Sequence, residues 1–225
     1  MNIKLSKRLQ TIGDMVKHNN LYDIGSDHAL LPVYLVLQGR VDFAIATDIA
    51  AKPLERGRAN AVKSGVADKI DFVLASGLTA VKTCDLSRST CVIAGMGGEA
   101  IIRIITDEIN TARKFGQLIL SPQRDIACVR KFLDEHGFII TDEVMVFEAD
   151  KFYNILNCMP KAATASTGHS PAPPDTYRFG RHLIERACPI FRQYLEAEIA
   201  KFECFGQKEH MDYIRQCKEV LKCIK

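Results

Sequence analysis

The sequence predicts a doubly wound α/β fold with a mostly parallel, seven-stranded sheet, followed by an α-helical hairpin. Two observations predict it. Up to residue 160, short apolar runs alternate with longer helical patterns, as in parallel sheets that helices cover on both faces. Residues 161–176 are then rich in Pro, Ser, Thr and Ala, which is typical of a linker. We therefore expect an α/β domain over 1–160, this linker, and a helical domain over 177–225.

The apolar runs in the first part of the chain are the expected strands. They lie at 21–25, 43–49, 70–75, 91–96, 117–121, 138–149 and 152–159. Three intervening stretches are long enough for crossover helices, at 53–64, 97–110 and 125–136. The last two runs are joined by a tight connection. We expect them to pair as an antiparallel hairpin at the sheet edge, or to flank the preceding strand.

The C-terminal region contains two amphipathic patterns on either side of Gly206, each with apolar residues at three- and four-residue steps. They predict two antiparallel helices. Pro189 lies inside the first pattern and is expected to kink that helix, because proline removes a backbone hydrogen bond. The hairpin could pack on the sheet domain, or it could protrude as a coiled-coil arm that grips a large partner.

Composition narrows the class of protein. The chain is 47% hydrophobic and 25% charged, and it contains no apolar run long enough for a membrane span. Its first residues lack the apolar region of a signal peptide, so we expect a cytoplasmic protein. The eight cysteines include no C-x-x-C pair, so we expect reduced thiols and no metal site. The net charge of +3 lies entirely in 161–225 and is too small to indicate nucleic acid.

The loop after the first strand indicates the kind of cofactor. Asp23 and Gly25 end an apolar strand where a helical pattern begins, which is where α/β sheets bind nucleotides. Asp48 ends the next strand and can accept hydrogen bonds from ribose hydroxyls. A dinucleotide site would need a glycine where this chain has Asp27, whose carboxylate would repel a pyrophosphate. The same charge favours S-adenosylmethionine, because that cofactor carries a sulfonium cation and no phosphates.

Two later strand ends are candidates for the same site. Ser76 follows the third strand, where this kind of fold commonly places a polar residue against the adenine amine. The fourth strand ends in A-G-M-G-G at 94–98, whose glycines permit close approach of a ligand or a flipped base. A tight strand-to-helix turn is the alternative explanation of these glycines.

These segments together resemble the bacterial TrmK family, transfer RNA adenine N1-methyltransferases that act on adenine 22 of the D-arm. The resemblance spans nearly the whole chain. It rests on L-S-K-R-L at 5–9, D-I-G-S-D-H-A at 23–29, L-P at 31–32, A-G-M-G-G at 94–98, L-I-L-S-P at 118–122 and D-E-V at 142–144. It implies a Rossmann-like class I methyltransferase domain with a coiled-coil C-terminal domain, S-adenosyl-L-methionine as cofactor and tRNA as partner.

The resemblance also implies which residues hold the cofactor. The methionine end of the cofactor would be lined by Asp23, Gly25 and His28, and its ribose and adenine would be held by Asp48 and Ile49. The adenine would also be held by Ser76, Gly77 and Leu78. The inner wall of the site would be formed by Ala94, Gly95 and Met96. The chain departs from the family at Ser76, where an acidic residue is usual. A hydroxyl accepts a hydrogen bond more weakly than a carboxylate, so we expect lower cofactor affinity than in relatives.

Asp27 is the candidate catalytic residue. Adenine N1 already has a lone pair, and its methylation builds positive charge that a nearby carboxylate would stabilise. Asp27 could instead cap the following helix. His28 could contact the cofactor or donate to a backbone carbonyl. Because N1 lies on the Watson–Crick edge, the target adenine must be unpaired or flipped out before reaction.

Basic side chains near both ends of the chain are the candidate RNA contacts. They are Lys4, Lys7, Arg8, Arg178 and Arg181, with Arg186 and Arg192 further along the C-terminal pattern. Arg178, Arg181 and Glu185 are expected on one helical face, where part of the charge would be self-paired. A solvated helix face is the alternative.

Three classes of function remain open at this point. The first is the tRNA methyltransferase, which we expect to be a monomer or weak dimer. The second is a small-molecule methyltransferase of the same fold, in which the helical hairpin would serve as a lid or dimer arm. The third is a non-catalytic module that binds S-adenosylmethionine or RNA, which the Ser76 departure makes worth testing.

Overall fold

The computed structural model describes residues 3–81, 85–161, 174–205 and 210–224. Its strands are β1 (Asn20–Ile24), β2 (Phe43–Asp48), β3 (Ile70–Leu74), β4 (Ser89–Ala94), β5 (Gln117–Ser121), β6 (Phe138–Glu148) and β7 (Lys151–Pro160). Its α-helices are α1 (Lys7–Met15), α2 (Leu30–Leu37), α3 (Ala51–Ser64), α4 (Gly98–Asp107), α5 (Ile109–Ala112), α6 (Ile126–Glu135), α7 (Pro174–Phe179), α8 (Arg181–Arg186), α9 (Pro189–Phe205) and α10 (Met211–Cys223).

The strands form one seven-stranded sheet in the order β3-β2-β1-β4-β5-β7-β6. The first five strands are parallel, and β7 pairs antiparallel with both β5 and β6. This confirms the predicted mostly parallel sheet, with the last two strands as a hairpin at its edge. The chain reverses its direction of travel across the sheet between β1 and β4, which is where open α/β sheets bind ligands.

Helices cover both faces of the sheet. On one face, α1, α2 and α3 bury Ile12, Leu35 and Leu54 in a single apolar cluster that also contains Val92 of β4. On the other face, α4 and α6 pack against Ile93 of the same strand. Neighbouring residues of β4 therefore enter opposite cores, which explains why this strand is apolar from Cys91 onward. None of the helices in the described ranges is long and apolar enough to cross a membrane.

The C-terminal region differs from the two predicted helices. The first amphipathic pattern is divided among α7, α8 and α9, and only α9 and α10 form the antiparallel pair. Pro189 kinks no helix, because it is the first residue of α9, where its missing N–H would have no partner anyway. The other break is at Gly180, which has a φ of +83°. Only glycine adopts that conformation readily, so α7 ends there.

The C-terminal helices pack on the β6–β7 hairpin rather than standing free of it. Phe179, Leu183 and Phe191 are buried in one cluster with Met145 of β6. The predicted linker, 161–176, lies mostly outside the described residues, and its last three residues belong to α7.

A buried ion pair lies beneath this packing. Arg130 of α6 and Glu143 of β6 are 4% and 1% exposed, and Arg130 Nη2 lies 2.6 Å from Glu143 Oε1. Asn154 donates a further hydrogen bond to Glu143 at 2.9 Å. Arg130 Nη1 donates to the backbone carbonyls of Tyr177 and Arg178, at 2.6 and 2.9 Å. One guanidinium therefore connects α6, β6 and α7.

Candidate cofactor and acceptor site

A large cavity opens at the carboxyl ends of the parallel strands. Its volume is about 880 Å³, and all the residues expected at the cofactor line it. Those residues are Asp23, Gly25, His28, Asp48, Ile49, Ser76, Gly77, Leu78, Ala94, Gly95 and Met96. Asp27 and Arg8 line it too. Segments that lie far apart in the sequence meet here because β1, β2 and β4 are neighbours in the sheet.

Asp23 places a carboxylate at the floor of the cavity. Burial raises the pKa of Asp23 to about 6, a hydrogen bond from Ser26 Oγ at 2.5 Å opposes that rise, and the charge of Asp48 adds to it. A carboxylate held in this way gains strongly from a cation. The next turn requires a glycine, because Gly25 has a φ of +73° and the end of the Met96 side chain occupies the space that a Cβ would need.

Asp27 and His28 lie at the mouth of the cavity. The Asp27 side chain is 74% exposed, and its Oδ1 lies 3.1 Å from His28 Nε2. Arg56 Nη1 lies 3.3 Å from the same ring nitrogen, so His28 can donate to the carboxylate or accept from the guanidinium. Asp27 does not cap α2: the N-cap is Ala29, and no side chain caps it. The carboxylate is therefore available to a ligand.

The side expected to hold adenosine combines acceptors with apolar surface. Asp48 Oδ1 accepts a hydrogen bond from Ala50 N at 2.8 Å, which fixes the carboxylate at the end of β2. The neighbouring Ile49 is 77% exposed and lines the cavity, so it offers apolar surface to a ligand there. Gly77 has a φ of +54° and lies against Ile104 of α4. Ser76, beside it, is exposed.

Arg8 closes the cavity on the β4 side. Its guanidinium carbon lies 5.0 Å from the centre of the Tyr153 ring, and both terminal nitrogens lie 3.8 Å from the position of a Cβ on Gly95. Glu148 accepts hydrogen bonds from the backbone N–H groups of Lys7 and Arg8, at 2.6 and 3.3 Å. Burial alone would raise the pKa of Glu148, but these hydrogen bonds lower it below its ordinary value.

The other basic residues expected to bind RNA are not brought together. Lys4 and Lys7 are exposed, just before α1 and at its first residue, whereas Arg178 and Arg181 belong to the helices that pack on the opposite side of the β6–β7 hairpin. Arg181 pairs with Glu185 at 2.7 Å, as expected.

Arg178 does not share a helical face with Arg181 and Glu185, because Gly180 separates α7 from α8. Arg178 instead donates to Gln216 at 2.8 Å and lies over the Tyr213 ring. The two remaining candidate arginines of this region also have intramolecular partners. Arg186 pairs with Asp142 at 2.6 Å, and Arg192 donates to the backbone of Ile224 at 2.6 Å.

Several cavity residues were not singled out from the sequence. Arg103, Ile104, Asp107 and Glu108 reach the cavity from one side of α4, and Gln123 reaches it from the loop after β5. None of these five residues belongs to a recognisable sequence motif. The spacing of 103, 104, 107 and 108 at three and four residues does place them on one helical face, but that pattern is equally typical of a solvated face. Within the described residues, no group of three or more metal-binding side chains occurs.

Comparisons with known proteins agree with this architecture. A family profile described as a methyltransferase domain matches residues 5–156. The tRNA (adenine(22)-N(1))-methyltransferase of Bacillus subtilis (strain 168) is 35% identical over 155 residues, which cover 68% of this chain and 64% of that protein, slightly less than two thirds of its length.

Solved structures match over almost the whole chain. A candidate tRNA (m1A22) methyltransferase from Streptococcus pneumoniae, in complex with S-adenosyl-L-methionine, is 35% identical with a TM-score of 0.86, covering 97% of this chain and 100% of that one. The B. subtilis m1A22 tRNA methyltransferase TrmK is 29% identical with a TM-score of 0.79, covering 98% and 100%. The profile match covers more than half of the sequence, and together with these relatives it shows that this chain belongs to the TrmK family of methyltransferases.

Proposed function

We propose that this protein transfers a methyl group from S-adenosyl-L-methionine to N1 of an adenine in tRNA, at position 22 of the D-arm. The observation that carries the proposal is one cavity that gathers every residue expected at the cofactor, with Asp27 at its mouth. The named substrate of the B. subtilis relative supplies the nucleotide position. The division into a catalytic domain over 1–160 and a helical domain over 177–225 belongs to the same proposal, as do a cytoplasmic location and a monomeric or weakly dimeric state.

The residues of the cavity fit S-adenosylmethionine. Asp48 would accept from the ribose hydroxyls, while Ile49 and Leu78 would cover the two faces of the adenine. Asp23 would contact the methionine end, where a positive ammonium group would favour its ionised form. A pyrophosphate would meet the carboxylates of Asp23 and Asp27 instead of a glycine-rich cradle, so a dinucleotide fits this cavity poorly.

The chemistry asked of the protein is mostly positioning. S-adenosylmethionine supplies an electrophilic methyl group when bound, and adenine N1 brings its own lone pair. The cavity must therefore hold the adenine in line with the methyl group and exclude water from the reacting atoms. As N1 becomes positively charged, the Asp27 carboxylate at the mouth stabilises the ring, or it accepts a hydrogen bond from the N6 amine. His28, 3.1 Å away, holds that carboxylate in place.

For RNA binding we propose that Lys4 and Lys7 contact phosphates next to the cavity, with Arg178 and Arg181 as a second patch. The first pair is supported by exposure and by its proximity to Arg8, which lines the cavity. The second pair is less available, because Arg178 and Arg181 already hold Gln216 and Glu185. A phosphate would have to compete with these contacts.

The test uses labelled S-adenosylmethionine with three acceptors: unmodified tRNA, free adenosine and a small-molecule fraction from cells. We expect label in tRNA alone. Label in a small molecule alone would favour the small-molecule methyltransferase. Measurable cofactor binding with no transfer to any acceptor would favour the non-catalytic module.

A further inference from the structure

The loop after β5 lies on the side of the cavity that the expected cofactor residues leave free. Those residues follow β1, β2, β3 and β4, and the sheet order places β5 beyond β4, away from the first three strands. Among the described residues that line the cavity, only Gln123 comes from the loop after β5. An adenine that reaches the methyl group of the cofactor is therefore expected against the loops after β4 and β5.

Backbone hydrogen bonds fix the loop after β5 to the loop after β4. Gln123 N donates to Met96 O at 2.8 Å, and Gly98 N donates to Arg124 O at 3.0 Å. The main chain of Gln123 is therefore held in place before any ligand arrives. Both N–H groups are already used in this contact, so the recognition of a base on this side falls to side chains.

The Gln123 side chain is free to bind a ligand. It is exposed, and no hydrogen bond engages it within the described part of the chain. It is also the only carboxamide among the described residues that line the cavity. A carboxamide presents a donor and an acceptor side by side, whereas the ionised Asp27 can only accept and Arg8 can only donate.

This pair of groups is complementary to one edge of adenine. Beside its five-membered ring, adenine presents the N6 amine as a donor and N7 as an acceptor, whereas guanine presents two acceptors, O6 and N7. The amine has two hydrogens, one beside N1 and the other beside N7. A carboxamide on the N7 side therefore leaves N1 open to the methyl group and leaves the other hydrogen to Asp27.

We propose that Gln123 selects adenine as the methyl acceptor by binding its N6–N7 edge. Oε1 accepts a hydrogen bond from N6, and Nε2 donates one to N7. Guanine would set its O6 against Oε1 with no proton between the two oxygens, so it is rejected. The proposal rests on the proposed function and adds to it the residue that distinguishes the base.

Rate measurements with two RNAs test the contact between Gln123 and N7. One tRNA carries adenine at position 22, and the other carries 7-deazaadenine, in which a C–H group replaces N7 while N1 and N6 remain. Because the loss of N7 also changes the basicity of N1, the quantity compared between proteins is the ratio of kcat/KM for adenine to kcat/KM for 7-deazaadenine. We expect this ratio to be about five- to tenfold higher for the unaltered protein than for Gln123→Leu, which has no polar group. Gln123→Glu keeps the shape but has no donor for N7, so its ratio should be as low as that of Gln123→Leu.

Two controls accompany these measurements. Calorimetry should show that both variants bind S-adenosylmethionine within about twofold of the unaltered protein, which also shows that they are folded. The matched control variant is Gln38→Leu, at an exposed glutamine that follows α2 and does not line the cavity. It should leave the ratio unchanged.

Three outcomes would overturn the proposal. The same ratio for the unaltered protein, Gln123→Leu and Gln123→Glu would mean that another group contacts N7. Weaker binding of S-adenosylmethionine by both variants, with an equal loss of rate on both RNAs, would mean that Gln123 only supports the loop after β4. If the unaltered protein methylates neither RNA, the proposed function itself fails, whereas the first two outcomes leave that function intact.

Discussion

Asp23 has an environment unlike that of an ordinary exposed carboxylate. Burial at the end of β1 raises its pKa to about 6 even though Ser26 donates a short hydrogen bond to it. An ionised carboxylate in that position is poorly solvated and gains from any cation that replaces the lost water. The side chain is thus prepared for a positively charged ligand, and its protonation competes with that ligand.

Cofactor affinity should therefore depend on pH. Because a cation prefers the ionised form, we expect the affinity for S-adenosylmethionine to be constant above pH 7 and to fall about tenfold between pH 7 and pH 5. Calorimetry from pH 5 to 8 measures this. Asp23→Asn should bind more weakly and lose the pH dependence, while Asp48→Asn should keep it. A profile that is unchanged in Asp23→Asn would mean that another group titrates.

Asp27 should act on the chemical step and not on binding. Asp27→Asn keeps the size and the helix start but removes the charge, so we expect kcat to fall about tenfold or more. The affinity for S-adenosylmethionine should stay within about twofold. Asp27→Glu, which keeps the charge, should recover part of the rate. Single-turnover kinetics measures the rate of methyl transfer. An unchanged rate in Asp27→Asn would show that the charge of Asp27 plays no part in the chemical step.

Among the elements, the β6–β7 hairpin connects the two parts of the chain. One of its faces packs against α1, and the other carries the C-terminal helices. The Arg130–Glu143 pair lies within that second contact and reaches the α7 backbone. Removing one partner leaves a charge buried among apolar groups, which costs far more than losing an exposed pair.

Arg130→Met should lower the free energy of unfolding by about 3–5 kcal/mol. The Arg130→Met/Glu143→Gln double variant should recover part of the loss, because no uncompensated charge remains. Arg181→Met, which breaks the exposed pair with Glu185, is the control and should change stability little. Urea denaturation followed by circular dichroism gives all three values. A loss for Arg130→Met no larger than that of Arg181→Met would argue against a structural role for the pair.

The strands could be predicted from the sequence, whereas the C-terminal helix boundaries could not. The strands contain short apolar runs, and β4 and β5 are buried almost throughout because helices cover both faces of the sheet. The amphipathic pattern after residue 176 continues through Gly180 and Pro189 without a change of period. Only the local backbone, with φ at +83° for Gly180 and +49° for Ala187, separates α7, α8 and α9.

Some of the residues that line the cavity could be predicted from the sequence, and others could not. Motif residues at strand ends converge whenever the strands are neighbours, so Asp23, Asp48 and Gly95 could be placed together. The α4 residues and Gln123 depend on how a helix and a loop pack above the sheet. Arg8 was expected to contact RNA, and its place at the cavity beside Tyr153 depends on how α1 packs on the β6–β7 hairpin.

At the scale of the whole molecule, the proposed RNA contacts lie on opposite sides of the β6–β7 hairpin. We expect Lys4→Gln/Lys7→Gln to reduce the slope of log affinity for tRNA against log salt by up to about two, since each lost phosphate contact removes about 0.7–0.9. Arg178→Gln/Arg181→Gln should reduce it by less than about one, because both arginines have intramolecular partners. Binding of S-adenosylmethionine should be almost insensitive to salt. If the Arg178→Gln/Arg181→Gln variant reduced this slope more than the lysine variant, the RNA would bind on the side of the hairpin that carries the C-terminal helices.

The most direct test of the central claim is to map the methylated nucleoside. Unmodified tRNA and a variant with adenine 22 replaced by guanine are incubated with the protein and S-adenosylmethionine, and the digests are sequenced by mass spectrometry. The account predicts N1-methyladenosine at position 22 of the first RNA and no methylation of the second. Methylation at another position, or equal methylation of both RNAs, would contradict the proposed target. The absence of any methylated nucleoside, with cofactor bound, would contradict the proposed reaction.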